Sequence, residues 1–201
     1  MTITASMVKE LREATGAGIL DCRKALEAYD GDFSKAVDYL REKGLAQAAK
    51  RMDRRASDGL VHAYIHGGGR IGVLVEVNCE TDFVARTEEF QAFVANVALQ
   101  IAAMAPQYIS RTDVPEAVLE HERSIYRAQA LEEGKPEAVI DRIVDGRVEK
   151  FFQQACLLEQ EFIREEGTTL DQLLKAQISK TGENIVVRRF SRFQLGESLG
   201  D

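Results

Sequence analysis

Between two helical stretches, the apolar residues change from a helical period to strict alternation around a run of three glycines. Val61, Ala63 and Ile65 alternate before Gly67-Gly68-Gly69, and four residues alternate after it: Ile71, Val73, Val75 and Val77. Alternation on both sides of a glycine turn predicts two strands joined as a β-hairpin. No Lys-Ser or Lys-Thr pair follows the glycines and no helix pattern starts there, so the run is not a typical phosphate-binding loop.

The first part of the chain, from Thr4 to Gly44, carries apolar residues at helical spacing instead. It predicts three short amphipathic helices that are separated at glycines: Gly16, Gly18, Gly31 and Gly44. A unit of this size, assigned to residues 1–45, has a thin core and is better suited to docking on a partner than to catalysis. The basic residues that follow lie in a predicted linker, residues 46–57, which we expect to be helical in part.

The remaining residues, 58–201, predict an α+β core in which the hairpin belongs to a small antiparallel sheet. A helix with Thr87 as its N-cap follows the hairpin. A strand from Ile185 to about Leu195 is expected to return to the hairpin and complete the sheet.

Most of the core after the hairpin is predicted to be helical. Two longer helices are separated by Gly134-Lys135-Pro136, which predicts a protruding helical hairpin at about 114–158. A shorter helix opens with a capping-box pattern at Thr169 and Gln172. The predicted fold class is therefore α+β, with a three-helix module in front of the core.

The charge balance and the cysteines limit the partners and the compartment. With 33 acidic and 26 basic side chains the formal charge is −7, which opposes direct nucleic-acid binding. Cys22, Cys79 and Cys156 are far apart in sequence, as is typical of a reducing compartment. No stretch approaches the roughly 18 apolar residues of a membrane span, and the N-terminus lacks a signal-peptide pattern. We therefore expect a cytoplasmic protein with no membrane partner.

No set of residues has the pattern of an active site. His62, His66 and Cys79 lie near one another in sequence, but no third ligand, general base or oxyanion donor accompanies them. The basic residues from Lys50 to Arg55 lack interleaved aromatic side chains and are interpreted as solvated rather than as an RNA contact. We therefore expect no catalytic residue, no metal site and no cofactor, and the chain is predicted not to be an enzyme.

Residues 78–84 lie where a buried strand meets a helix, at the rim of the predicted sheet. The residues alone leave two interpretations open for Thr81-Asp82-Phe83-Val84. In the first, Phe83 folds back on the following helix as a hydrophobic staple and Asp82 caps a turn. In the second, the loop is exposed and binds another protein.

Several longer blocks of the sequence are distinctive. They are ASMVKELREATGAGILDCRKAL from Ala5 to Leu26, Gly31-Asp32, LREKG from Leu40 to Gly44, EVNCETDFVAR from Glu76 to Arg86, LLEQEFI from Leu157 and GENIVVRRF from Gly182. Together and in this order they resemble the bacterial elongation factor Ts family, over essentially the whole chain.

The resemblance implies a guanine-nucleotide exchange factor for elongation factor Tu, the GTPase that carries aminoacyl-tRNA to the ribosome. The N-terminal module is then similar to ubiquitin-associated domains and docks on the GTPase domain through Ile19, Leu20 and Arg23. The loop Thr81-Asp82-Phe83-Val84 corresponds to the family's wedge beside the magnesium and nucleotide site of the partner. A rival interpretation is an interaction adaptor that has a ubiquitin-associated-like module and no exchange activity.

The resemblance also bears on assembly. Longer members of the family carry a second core subdomain and a C-terminal helical module, whereas this sequence resembles the short members. Their single core corresponds to half of the larger one. The resemblance therefore implies a homodimer in which two chains together rebuild that core.

Overall fold

The computed structural model describes residues 2–198, which form eight α-helices and a three-stranded antiparallel sheet in the order β1-β2-β3. In chain order these elements are α1 (Ala5–Thr15), α2 (Ile19–Ala28), α3 (Phe33–Ala49), β1 (Asp58–His66), β2 (Ile71–Cys79), α4 (Asp82–Ala85), α5 (Glu88–Met104), α6 (Glu116–Glu132), α7 (Glu137–Ala155), α8 (Leu170–Thr181) and β3 (Val186–Gln194). The predicted α+β class is confirmed.

The described residues form two compact units. The first comprises residues 2–60, 77–93 and 172–186, and the second comprises residues 61–76, 94–171 and 187–198. The first unit contains α1 to α4 and most of α8, while the second contains α6, α7 and most of the sheet. Both regions to which the resemblance assigns partner contacts, around Ile19 and around Phe83, therefore belong to the first unit.

The three predicted N-terminal helices are present and share a small core. That core consists of Val8, Leu11, Cys22, Ala25, Leu26, Ala36 and Leu40. Two of the helices begin at the polar residues that usually cap helix starts, since Thr4 accepts from the Met7 N–H and Asp32 accepts from the Lys35 N–H. The core is small because short helices have few positions that face inward.

The prediction that Gly44 ends the third helix is wrong. Helix α3 continues to Ala49, so the first residues of the expected linker 46–57 are helical, and Gly44 is buried inside the helix. A Cβ atom at Gly44 would lie 2.6 Å from the Ser179 Oγ of α8. Glycine at this position therefore permits a close approach of two helices rather than a break in one of them.

The predicted hairpin is formed by β1 and β2, and its two apolar sets have different surroundings. Val73, Val75 and Val77 of β2 are buried. Val61, Ala63 and Ile65 of β1 share one face, as their alternation predicts, but that face is exposed. The sheet therefore has an apolar outer face in addition to its buried one.

The second unit contains the predicted helical hairpin, formed by α6 and α7. Its core consists of Val114, Ala130, Ile140, Val144, Val148, Phe152 and Cys156. Exposed ion pairs such as Arg123 with Asp145 join the two helices across their outer faces. Among residues 2–198, no helix combines the length and the apolar character that crossing a membrane requires.

Candidate partner-binding site

A strand leads directly into a single helical turn at residues 79–85. β2 ends at Cys79, and Thr81 is extended, with φ −132° and ψ 153°. Its hydroxyl oxygen accepts the Val84 N–H at 3.4 Å and so caps α4. Thr81 therefore has the capping role that the first interpretation of the loop assigned to Asp82.

Phe83 points away from the core. Its side chain is 78% exposed, whereas its neighbours Val84 and Ala85 are only 6% and 4% exposed. A hydrophobic staple would require Phe83 to pack on the next helix, and this exposure excludes that interpretation. The turn therefore buries one pair of side chains and presents one aromatic ring to solvent.

Asp82, the first residue of α4, lies beside Arg86. The carboxylate and guanidinium are 2.8 Å apart, and both side chains are largely exposed. Such exposed pairs contribute about 0–1 kcal/mol, so Arg86 holds Asp82 only weakly. Asp82 and Phe83 together form a small exposed surface that combines one apolar and one acidic group.

Glu183, in the turn between α8 and β3, holds the start of this loop. Its Oε2 accepts from the backbone N–H groups of Glu80 and Thr81, each at 3.1 Å. Its Oε1 accepts from the Thr81 hydroxyl at 2.6 Å. The sequence alone assigned Glu183 no role, although this residue belongs to the distinctive block that begins at Gly182.

Asn184 connects the same turn to the segment that follows α3. Its side-chain amide donates to the backbone carbonyls of Met52 at 3.0 Å and Arg54 at 2.6 Å. Its backbone N–H donates to the Glu80 carboxylate at 2.7 Å. Asn184 is only 1% exposed, so these three bonds lie in the interior of the first unit.

Cys79 lies beneath the loop with its thiol buried. Its thiol donates to the Thr81 carbonyl at 3.1 Å, and burial, assisted by the nearby Glu183 carboxylate, raises the pKa of the thiol to about 11. The reactive form of a cysteine is the thiolate, which is scarce at neutral pH with such a pKa. His66 is bonded instead to the Tyr64 hydroxyl, and residues 2–198 contain no cluster of three metal-ligating side chains.

A second exposed apolar surface lies at the start of α2. Ile19 and Leu20 are 57% and 72% exposed, and Arg23, one turn later, pairs with Glu27 at 3.0 Å. Ile19 and Arg23 also line a groove of about 330 Å³ whose other lining residues are Ile3, Thr4, Ala5, Val8, Lys9 and Arg12. The module therefore presents an apolar edge beside three basic side chains.

Comparison with known families identifies the family to which the chain belongs. The sequence profile described as "Elongation factor TS" matches residues 8–197. The chain belongs to the elongation factor Ts family. It is therefore a translation elongation factor, and both exposed surfaces lie within the matched residues.

Several curated members named "Elongation factor Ts" match almost the whole chain. The protein from Thermoanaerobacter sp. (strain X514) is 64% identical over 197 residues, which are 98% of this chain and 97% of that protein. The protein from Caldanaerobacter subterraneus subsp. tengcongensis is also 64% identical, over 98% of both chains. The protein from Carboxydothermus hydrogenoformans is 60% identical, over 98% of this chain and 91% of its own length. This chain and these members of the family are thus similar in length.

Proposed function

We propose that the chain is a guanine-nucleotide exchange factor for elongation factor Tu and acts in the cytoplasm, where translation takes place. The observation that carries the proposal is Phe83, an exposed aromatic side chain on a turn whose start is held by Glu183. Family membership supports the choice of partner. The chain then performs no covalent chemistry, and its effect is to change how tightly the partner holds GDP.

Phe83 is proposed as a wedge that enters the GTPase beside its magnesium and nucleotide site. GDP is held there by phosphate contacts and by Mg²⁺, which demands near-octahedral geometry at about 2.0–2.1 Å. Moving an element that supports this geometry therefore weakens nucleotide binding without contact to the nucleotide. Burying one phenylalanine side chain is worth roughly 1.5–3 kcal/mol, and about 1.4 kcal/mol is tenfold in an equilibrium. The wedge can therefore supply a shift of about ten- to a hundredfold.

Asp82 is proposed as the companion of Phe83, and Thr81 and Val84 as supports. Because the pair with Arg86 is exposed, the Asp82 carboxylate is available to polar groups of the partner at little cost. Thr81 caps the turn, and the burial of Val84 fixes the turn to the core. This division of roles follows from which side chains are exposed and which are not.

The N-terminal module is proposed as the second contact. In this proposal residues 1–45 dock on the GTPase domain through Ile19, Leu20 and Arg23, while the core carries the loop of residues 81–84. Leu20 supports the assignment because a leucine that is 72% exposed on a small helical module gains free energy when a partner covers it.

The proposal carries a thermodynamic constraint. If the chain weakens GDP binding by some factor, GDP must weaken binding of the chain by the same factor. The constraint is tested by a pull-down in which the chain is immobilised and retains elongation factor Tu. Excess GDP and Mg²⁺ are expected to release elongation factor Tu from it. The rival function, an adaptor without exchange activity, predicts retention that does not respond to either.

Phe83→Ala tests the wedge directly. We expect GDP release from elongation factor Tu to be accelerated about ten- to a hundredfold less than by the wild-type chain, because the variant has lost the buried side chain. Stopped-flow release of a fluorescent GDP analogue measures this rate. The midpoint of thermal unfolding of Phe83→Ala should stay within a few degrees of the wild-type value, since Phe83 contributes little to the core.

Met104→Ala is a matched control, because it removes another partly exposed apolar side chain, at the far end of α5 and outside the loop of residues 81–84. Met104→Ala should accelerate GDP release from elongation factor Tu as much as the wild-type chain does. Equal release rates for Phe83→Ala and the wild-type chain would contradict the wedge.

We also propose that two copies of the chain associate through the outer face of the sheet. The apolar side chains that support this assignment lie on all three strands and just beyond β3: Val61, Ala63, Ile65, Leu74, Phe193 and Leu195. Phe193 is 70% exposed and Ile65 is 66% exposed. A two-sided apolar sheet is unusual for a monomer, because one face of a small antiparallel sheet is normally polar.

A further inference from the structure

We propose that residues 179–184, here called the brace, position the two partner contacts relative to one another so that they act as one rigid surface. The brace comprises the last turn of α8 and the residues that lead to β3. It makes separate contacts with α3, with the turn before α2, with the start of α5 and with the loop of residues 81–84. The inference rests on the proposed function for its partner, but its structural part is independent of that function.

On the loop side, the brace acts through Glu183. Both carboxylate oxygens are used, because Oε2 accepts two backbone N–H groups and Oε1 accepts the Thr81 hydroxyl. Thr81 is also the cap of α4. Glu183 therefore holds Thr81 through both its backbone N–H and its hydroxyl, and in this way sets the direction of the turn that carries Phe83.

On the module side, the brace acts through Lys180. A Cβ atom at Gly16 would lie 3.1 Å from both Cγ and Cε of Lys180, so the aliphatic stem of this lysine lies against the turn between α1 and α2. Gly16 is three residues before Ile19. The ammonium group of Lys180 forms an ion pair with Glu89 in the first turn of α5. One side chain thus spans from the module to the helix that follows the loop.

Two further contacts close the arrangement. Ser179 lies against Gly44, where a Cβ atom would come within 2.6 Å of its hydroxyl oxygen. Asn184 donates to the backbone carbonyls of Met52 and Arg54, in the segment that joins the module to β1. The module, the joining segment and the loop are therefore all tied to six consecutive residues.

A rigid arrangement has a consequence for binding. When one contact engages the partner, the other is presented at a high effective concentration, and that concentration falls if the connection between them is loose. Damage to the brace should therefore weaken exchange although Ile19, Leu20 and Phe83 are all still present. Glu183 and Lys180 are positioning residues in this sense, since they act through the loop and the module.

The structural part is tested on the free chain by hydrogen exchange. In Glu183→Ala the amides of Glu80 and Thr81 lose their acceptor and should exchange about tenfold faster or more. Glu183→Gln retains an acceptor oxygen and should stay near the wild type. Asp145→Ala, which removes an exposed carboxylate from the helical hairpin, is the control. Unchanged exchange in Glu183→Ala would overturn the role of Glu183, whatever the chain binds.

The coupling of the two contacts is tested by the distance between spin labels at Lys24→Cys and Ala92→Cys, which are exposed positions on α2 and α5. The native cysteines are buried and leave these positions as the accessible thiols. Mixed with an excess of unlabelled wild-type chain, so that only distances within one chain are measured, the labelled chain should give one narrow distance distribution. Lys180→Ala combined with Glu183→Ala should broaden it. A distribution that remains narrow would overturn the brace.

The functional part is tested with elongation factor Tu. Glu183→Ala should accelerate GDP release about tenfold less than the wild-type chain, and Glu183→Gln should remain within about twofold of it. Equal activity of Glu183→Ala and the wild type would overturn the functional role of the brace. Absence of exchange by the wild-type chain would instead contradict the proposed function, while the two measurements on the free chain would still decide the brace.

Discussion

Phe83 is exposed to solvent, whereas the next two residues of the same turn are buried. Val84 and Ala85 have the burial expected beside a core, yet the largest side chain of the turn is the one left in solvent. Leaving an aromatic ring in water forgoes roughly 1.5–3 kcal/mol that burial would contribute to folding. That contribution is available instead to a complex, which is why the exposure of this one residue argues for a partner.

Cys79 gives a prediction with a defined pH dependence. Its pKa of about 11 lies above the ordinary value of 9.0, and one pKa unit is a tenfold change in the thiolate fraction at lower pH. Near pH 8, Cys79 should therefore react with iodoacetamide at least about a hundredfold more slowly in the folded chain than in urea, and the folded rate should rise with pH. Mass spectrometry of the peptide that contains Cys79 measures both rates. Equal rates in the folded and unfolded chain would contradict the assignment.

The residues of the loop itself could be predicted, but what holds them could not. The motif Thr81-Asp82-Phe83-Val84 is contiguous, so its resemblance to a family is visible in the sequence. Glu183 is 102 residues from Thr81, and a lone glutamate in a turn has many possible partners. Only the return of β3 to the sheet brings Glu183 beside the loop.

Among the helices, two glycines of the helical hairpin give opposite predictions for the free energy of unfolding when each is replaced by alanine. Gly134 follows α6 with φ +71°, where the Lys135 N–H bonds back to the Ala130 carbonyl and closes the helix. Gly134→Ala should lower the free energy of unfolding by about 1 kcal/mol, because alanine is strained at positive φ. Chemical denaturation monitored by circular dichroism measures the change.

Gly146, inside α7, is the matched position. It is exposed, and a Cβ atom there would meet no other atom within 4 Å. Gly146→Ala should raise the free energy of unfolding by about 0.5–1 kcal/mol, since alanine favours the helix. A change of the same sign in both variants would contradict the assigned backbone conformations.

The wrong prediction at Gly44 arose because a local sequence signal was overridden by packing between two helices. Helix-stop signals are local, and a glycine near the end of a periodic stretch usually marks a C-terminus. Here the helix continues because α8 packs against it and requires a residue without a side chain. Nothing in the sequence near Gly44 reveals a partner helix that begins at Leu170.

For the whole molecule, the outer face of the sheet gives the prediction about assembly. Ile65→Lys combined with Phe193→Lys should convert the proposed dimer to a monomer, because two charges per chain would be placed within an apolar interface. Sedimentation velocity at micromolar concentration measures whether the chain is a monomer or a dimer. Leu131→Lys, at an exposed apolar position on α6, should leave the proposed dimer intact. A wild-type chain that is monomeric at this concentration would contradict the association.

The fold class, the helical hairpin and the sheet could be predicted because each rests on periodicity over many residues. The outer face could not be recognised, since alternation shows which residues of β1 share a face but not which face is covered. Val61, Ala63 and Ile65 satisfy the same pattern as Val73, Val75 and Val77. The two sets differ only in what packs on them.

The position of Glu183 in the chain has a consequence for biosynthesis. The ribosome makes a protein from its N-terminus, so α1 to α3 and the β-hairpin are complete well before Glu183 is added. Until then, the amides of Glu80 and Thr81 have no carboxylate to bind. The nascent chain therefore passes through a stage in which the loop of residues 81–84 has been made but the carboxylate that holds its start has not.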